Sequence, residues 1–204
     1  NIPEVNDILG SKEIIGYRNK LEFTFSNKRW LTFEQMNNGE TFEDMNALGF
    51  HIPGAFDKVL DIEKCYLQDD ISNKIRLFIR RYAIENGYPF YNIKQQEGLM
   101  RNIIIRVAST GEIMLIVVFG RPENDEIFPL LDAVKNEFAQ ITSLMYVVNE
   151  KVNDTIADQN VILYHGRDYI IEKMENLQFR IGPKSFYQTN SKQAYELYKV
   201  ARRM

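Results

Sequence analysis

Gln188 stands where a side chain could hold a polar ligand. It belongs to the run Ser185-Phe186-Tyr187-Gln188-Thr189, which reads as a short loop running into a helix. A carboxamide both donates and accepts hydrogen bonds, and the rings of Phe186 and Tyr187 offer flat apolar surface beside it. An ordinary helix entrance has the same composition, so the residues alone leave both readings open. A second constellation is Arg18 and Lys20 in YRNKLEFTFS, with Lys28, Arg29 and Trp30 just after it. Two residues apart on a strand, their side chains share a face. A basic strip with aromatics nearby suits RNA phosphates and stacking on an unpaired base; the plainer alternative is a solvated sheet face. Cys65 is the third candidate and the only cysteine of the chain. Its default place is that of a small buried apolar side chain. No histidine stands near it in sequence to make it a nucleophile, and a lone thiolate cannot hold an iron–sulfur cluster, which takes four.

The elements that must position these residues follow from periodicity. Tyr17–Ser26 alternates, with Leu21, Phe23 and Phe25 opposite Lys20, Glu22 and Thr24, which predicts a half-buried antiparallel strand. Residues 34–45 are polar, with a turn at Asn38-Gly39. Ala47–His51 and Lys58–Ile62 predict a hairpin around Pro53-Gly54. Asp69–Glu85 predicts a helix with Ile71, Ile75, Phe78, Ile79 and Tyr82 on one stripe and Lys74, Arg76, Arg80 and Arg81 facing elsewhere. Arg80 and Arg81 suit the negative end of that helix. Asn102–Ala108 and Glu112–Phe119 predict a hairpin, its second strand central and covered on both faces, with Arg101 and Arg106 outside the densest apolar section. A helix over Phe128, Leu131, Val134 and Phe138 follows, then a strand over Ser143–Asn149 and a loop at Val152–Asn160. Further strands are expected at Val161–Tyr164, Tyr169–Ile171 and Leu177–Ile181, with 165–168 as a turn. Asn190 is the expected N-cap of a last helix, in which Ala194, Leu197, Tyr198 and Ala201 form a packing face. The fold class expected is α+β, a mixed, mainly antiparallel sheet covered on one face by helices.

Composition narrows the function. A net charge of −3 argues against coating nucleic acid by charge alone, without excluding a local basic strip. One cysteine rules out an intrachain disulfide framework and suits a reducing, cytoplasmic compartment. No apolar run is long enough to cross a bilayer, so no membrane partner is expected. His51 and His165 stand in no ligand spacing, and no zinc site is expected. The start is polar and lacks an initiator Met, and 195–204 reads as a helix in progress without a stop signal; both suggest a piece of something longer.

Several motifs resemble the RNA 5-methyluridine (uracil-C5) methyltransferases. SFYQTN followed by AYELY is similar to the segment that opens that family's catalytic domain. YRNKLEF resembles the strand that begins its RNA-contacting central region, and RNIIIRVASTGEIMLIVVF resembles a hairpin of the same region. GFHIPGAFDKVLDIEKC resembles a segment of the cluster-bearing, 23S ribosomal RNA branch, in which a fourth cluster cysteine falls at the position of Cys65. The resemblance implies an RNA-binding α+β region over 1–183 and, over 184–204, the start of a Rossmann-like domain that uses S-adenosylmethionine. It implies cofactor contact at Gln188 and RNA contact at Arg18, Lys20, Arg101 and Phe186. It further implies a [4Fe-4S] ligand at Cys65 only in a longer protein that supplies three more cysteines. Ribosomal RNA is the expected partner and a monomer the expected state. No catalytic residue is expected within these 204 residues, and a transfer RNA enzyme, a stand-alone RNA-binding module or a small-molecule-binding domain remain as alternatives.

Overall fold

The computed structural model describes residues 7–39, 42 and 44–204; the polar stretch 34–45 falls partly outside the described residues. In chain order the elements are β1 (Lys20–Ser26), α1 (Phe33–Asn37), β2 (Ala47–Ile52), β3 (Ala55–Asp61), α2 (Asp70–Glu85), β4 (Met100–Val107), β5 (Ile113–Phe119), α3 (Asn124–Glu137), β6 (Ile141–Val148), β7 (Ile162–Gly166), β8 (Ile170–Met174), β9 (Leu177–Ile181) and α4 (Ser191–Arg203). Seven strands form one sheet in the order β3-β2-β1-β4-β5-β6-β7, antiparallel throughout except for the β5–β6 pair, which α3 connects. β8 and β9 form a separate antiparallel hairpin. The expected α+β class and mainly antiparallel sheet are what the chain adopts.

Alternation decides what each face of the sheet does. Leu21, Phe23, Ile103, Ile105, Leu115 and Val117 meet Ile75 and Ile79 of α2 and Leu130 and Val134 of α3 in one core. Each fully buried side chain of this size is worth roughly 1.5–3 kcal/mol against exposure. Every residue of β5 is buried, because Ile104, Met114, Ile116, Met145 and Val147 on the opposite face form a second core. The hairpin covers it through Ile170 and Ile181, and Tyr187 packs alongside. Helices thus cover one face, as expected, and the hairpin takes the other.

Three local expectations change. His165 and Gly166 lie within β7 rather than in a turn, and the chain then leaves the large sheet. Gly166 has φ +83° and a Cβ there would stand 2.1 Å from the Thr142 carbonyl oxygen, so only glycine allows this close approach. Arg76 does not face outward: it is 0% exposed, bonds the carbonyls of Ile62 and Glu63, and stacks on Phe23. Arg80 is held by Asp61, at 3.0 and 2.9 Å, rather than by the end of α2. Desolvation outweighs the pull of Asp61 on Arg76 and lowers its pKa.

Tyr88 supplies a pH dependence. It is 8% exposed, donates to the Glu126 carbonyl at 2.8 Å, and burial pushes its pKa up to about 12. The neutral phenol is the form the fold accepts, so its contribution is fully present below pH 10, near an unperturbed phenol's pKa. It is lost as pH rises towards 12. The melting temperature of the wild type should therefore fall across that alkaline window, and Tyr88→Phe should flatten part of the fall.

Candidate nucleic-acid interface

Pairing of β1 with β4 sets Lys20 directly opposite Arg106, on one face of the sheet. Arg18 joins them at the lip of β1, its Nε donating to the Lys20 carbonyl at 3.1 Å. Burial, then Arg106, and to a lesser degree Arg18, lower the pKa of Lys20, with Glu22 opposing. The arrangement concentrates positive charge on a half-buried strand end, where an anion would relieve mutual repulsion. Arg18 and Asn19 also line a cleft of about 330 Å³ with Tyr17, Asp69, Ser191 and Lys192, at the foot of α4.

The Ser185–Thr189 loop lies next to this cluster. Arg106 is 5% exposed and donates to the carbonyls of Ser185 and Pro183 at 2.7 and 3.4 Å. Asn19 donates its backbone N–H to the Thr189 carbonyl at 2.8 Å, and its Nδ2 to the Gln188 carbonyl and Ser191 Oγ at 2.9 and 2.7 Å. Tyr187 turns inward, its ring 5.9 Å from that of Phe179. Phe186 stays 85% exposed and the Gln188 side chain is exposed too. Asn190 caps α4 by accepting from the Gln193 N–H at 3.0 Å, as expected. The expected packing face of α4 is not covered among the described residues: Ala194 is buried, but Leu197 and Tyr198 are 58% and 42% exposed.

Arg101 departs from the expected RNA-facing role. It is 0% exposed. Its guanidinium donates to the carbonyls of Asn149, Lys151, Val152 and Asn153 and to Asp154 Oδ1, with the Tyr91 ring 4.5 Å away. Every direction in which the fork could donate is taken up by the 149–154 loop. Cys65 is 6% exposed, and Asn73 clamps its backbone, accepting from its N–H at 2.8 Å and donating to its carbonyl at 3.1 Å. Among the described residues no group of three His, Cys, Asp or Glu could hold a metal ion. The residues present do not fit a four-thiolate cluster. Among the described residues the Gln188 amide makes no hydrogen bond, and it stands exposed two residues from Phe186.

Sequence reasoning named Arg18, Lys20, Phe186 and Gln188 as separate candidates, passed over Asn19 and left Arg106 undecided. Only the β1–β4 register brings Arg106 to Lys20 and to the loop, and register is not written in either strand alone.

No family model matches the chain. It is 56% identical, over 98% of its length, to proteins of Bacteroides thetaiotaomicron and Porphyromonas gingivalis, each named an uncharacterized RNA methyltransferase. A Chlorobaculum tepidum protein named in the same way is 33% identical over 96% of the chain. The chain spans 45%, 44% and 41% of these relatives. Among solved structures, the Pyrococcus abyssi tRNA (uracil-54, C5)-methyltransferase in complex with S-adenosyl-L-homocysteine shares the fold. The TM-score is 0.68 at 23% identity, covering 94% of this chain and 42% of that one. The chain is thus homologous, along nearly its whole length, to bacterial proteins named RNA methyltransferases.

Proposed function

We propose that this chain is the RNA-gripping central portion of an S-adenosylmethionine-dependent RNA (uracil-C5) methyltransferase. Residues 1–183 form the RNA-binding region, and 184–204 open the catalytic domain. The observation that carries this reading is the Arg18–Lys20–Arg106 cluster set against a loop that leaves Phe186 and Gln188 exposed, in a chain homologous to proteins named RNA methyltransferases.

The chemistry explains why a grip is needed. In that reaction a thiolate would add to uracil C6 and make C5 nucleophilic towards the cofactor's methyl group, the demethylated cofactor leaving. Removal of the C5 proton by a base would then expel the thiolate from C6 and restore the ring. A stacked base cannot be reached, so the strand around it must be held while the target swings out. Arg18 and Lys20 hold phosphates, and Phe186 offers a stacking surface. Gln188 contributes one polar contact to the cofactor. Cys65, buried and clamped at its backbone, is unsuited to act as the nucleophile. The isolated chain is therefore inactive.

Ribosomal RNA is the substrate we assign, on the sequence context of Cys65. Transfer RNA is the second reading, favoured by the substrate named for the Pyrococcus abyssi enzyme of the same fold. We place the protein in the cytoplasm as a monomer; among the described residues no helix is long and apolar enough to cross a membrane. The test is transfer of labelled methyl from S-adenosylmethionine to ribosomal and transfer RNA transcripts. The intact protein should label uridine C5 in one of them, and the isolated 204-residue chain neither. Transfer by the isolated chain, or a labelled base other than uracil, would overturn the proposal.

A further inference from the structure

We infer that Asn19 is a positioning residue that couples the RNA grip to the cofactor contact, so that binding at either strengthens binding at the other. The inference rests on the function proposed above and concerns how its two halves communicate.

Apolar packing does little to place α4, since Ala194 is its one buried residue among those described. Tyr187 anchors the loop before it at a single point in the second core. What fixes the backbone on either side of Tyr187 is polar. Arg106 holds the carbonyls of Pro183 and Ser185, and Asn19 holds Gln188, Thr189 and Ser191. Asn19 stands between Arg18 and Lys20 in sequence, and its own carbonyl accepts from the Val107 N–H at 2.9 Å. Its backbone is thus part of the strand that carries the proposed phosphate contacts, while its side chain reaches the residue proposed to touch the cofactor.

The segment has two ways to respond to RNA. Phosphate bound at Arg18 and Lys20 steadies the strand end from which Asn19 reaches across. Phosphate also offsets the positive charge of Lys20, which the strand register sets opposite Arg106, the other residue that holds the loop. Either response biases Gln188 towards one orientation. A ligand that favours the same orientation must then favour RNA by the same factor, because linkage is reciprocal.

The test uses the intact protein. Binding of S-adenosylhomocysteine is measured by calorimetry with and without a uridine-containing RNA, alongside hydrogen exchange of residues 184–192. In the wild type, RNA should tighten S-adenosylhomocysteine binding and slow exchange in that segment. Asn19→Ala removes the Nδ2 bonds to Gln188 and Ser191 and leaves both backbone bonds in place. It should weaken S-adenosylhomocysteine binding by about five- to tenfold, the worth of one or two hydrogen bonds. It should also shrink both RNA effects to the part that passes through Arg106. Asn19→Leu, of similar size and uncharged but without the donor, should behave alike, and an unchanged melting temperature in either variant excludes general unfolding. Wild-type coupling in both variants would overturn the role of Asn19. A wild type that binds both ligands without coupling would overturn the inference alone, whereas one that binds neither would remove the proposed function beneath it.

Discussion

Arg101→Ala should lower the melting temperature by roughly 10 °C. The guanidinium is wholly buried and reaches four backbone carbonyls and one carboxylate of the 149–154 loop. Removing it leaves those acceptors without their shared donor and strands the Asp154 carboxylate, whose side chain is 36% exposed. Breaking a buried pair by deleting one partner costs about 3–5 kcal/mol, and about 2–4 °C accompanies each kcal/mol in a domain of this size. Arg101→Lys should recover only part of the loss, because one ammonium cannot span a fork's acceptors. Asp154→Asn should cost less still, since the carbonyl bonds remain. Calorimetry of the three variants checks the order, and an Arg101→Ala variant that melts with the wild type would show that the knot holds nothing.

The same residue shows why part of the site was not legible in the sequence. In RNIIIRV the two arginines look alike, charges flanking an apolar run. Whether such a charge faces solvent or bends inward depends on what the chain does some 50 residues later, where the 149–154 carbonyls form a cage. Arg76 is the same case within α2, buried by the loop it holds rather than by the periodicity of its helix. Strands and long helices were legible because alternation and the 3.6-residue repeat are local signals. The short α1 was equally local but overlooked: Thr32 and Gln35 form a reciprocal capping box, with both bonds present. Asn190 was read correctly as the N-cap, its side chain accepting from the Gln193 N–H, while the Gln193 side chain donates to the Leu9 carbonyl at 3.0 Å. The apolar stripe of α4 was also read correctly as a stripe, but periodicity does not say what covers it.

The second large effect concerns the grip itself. Arg18 and Lys20 share a strand end with Arg106, and the lowered pKa of Lys20 reports both its burial and its cationic neighbours. RNA phosphates in this position would be contacted directly, and each such contact releases condensed counterions. The double variant Arg18→Ala/Lys20→Ala should therefore weaken RNA binding at least tenfold at about 0.1 M salt. Lys135→Ala provides the control: Lys135 sits on α3, paired with Asp132 at 2.7 Å and beside Tyr164 of the edge strand β7, three strands from β4. Its removal should leave RNA affinity unchanged.

The most direct measurement is a salt titration of RNA affinity by fluorescence anisotropy, comparing wild type, the double variant and the Lys135→Ala control. If this strand end grips RNA, the log–log slope of the double variant should be shallower by roughly 1.4–1.8, two contacts' worth, while the control keeps the wild-type line. Superimposable lines for all three proteins would contradict the account and reduce the cluster to surface charge.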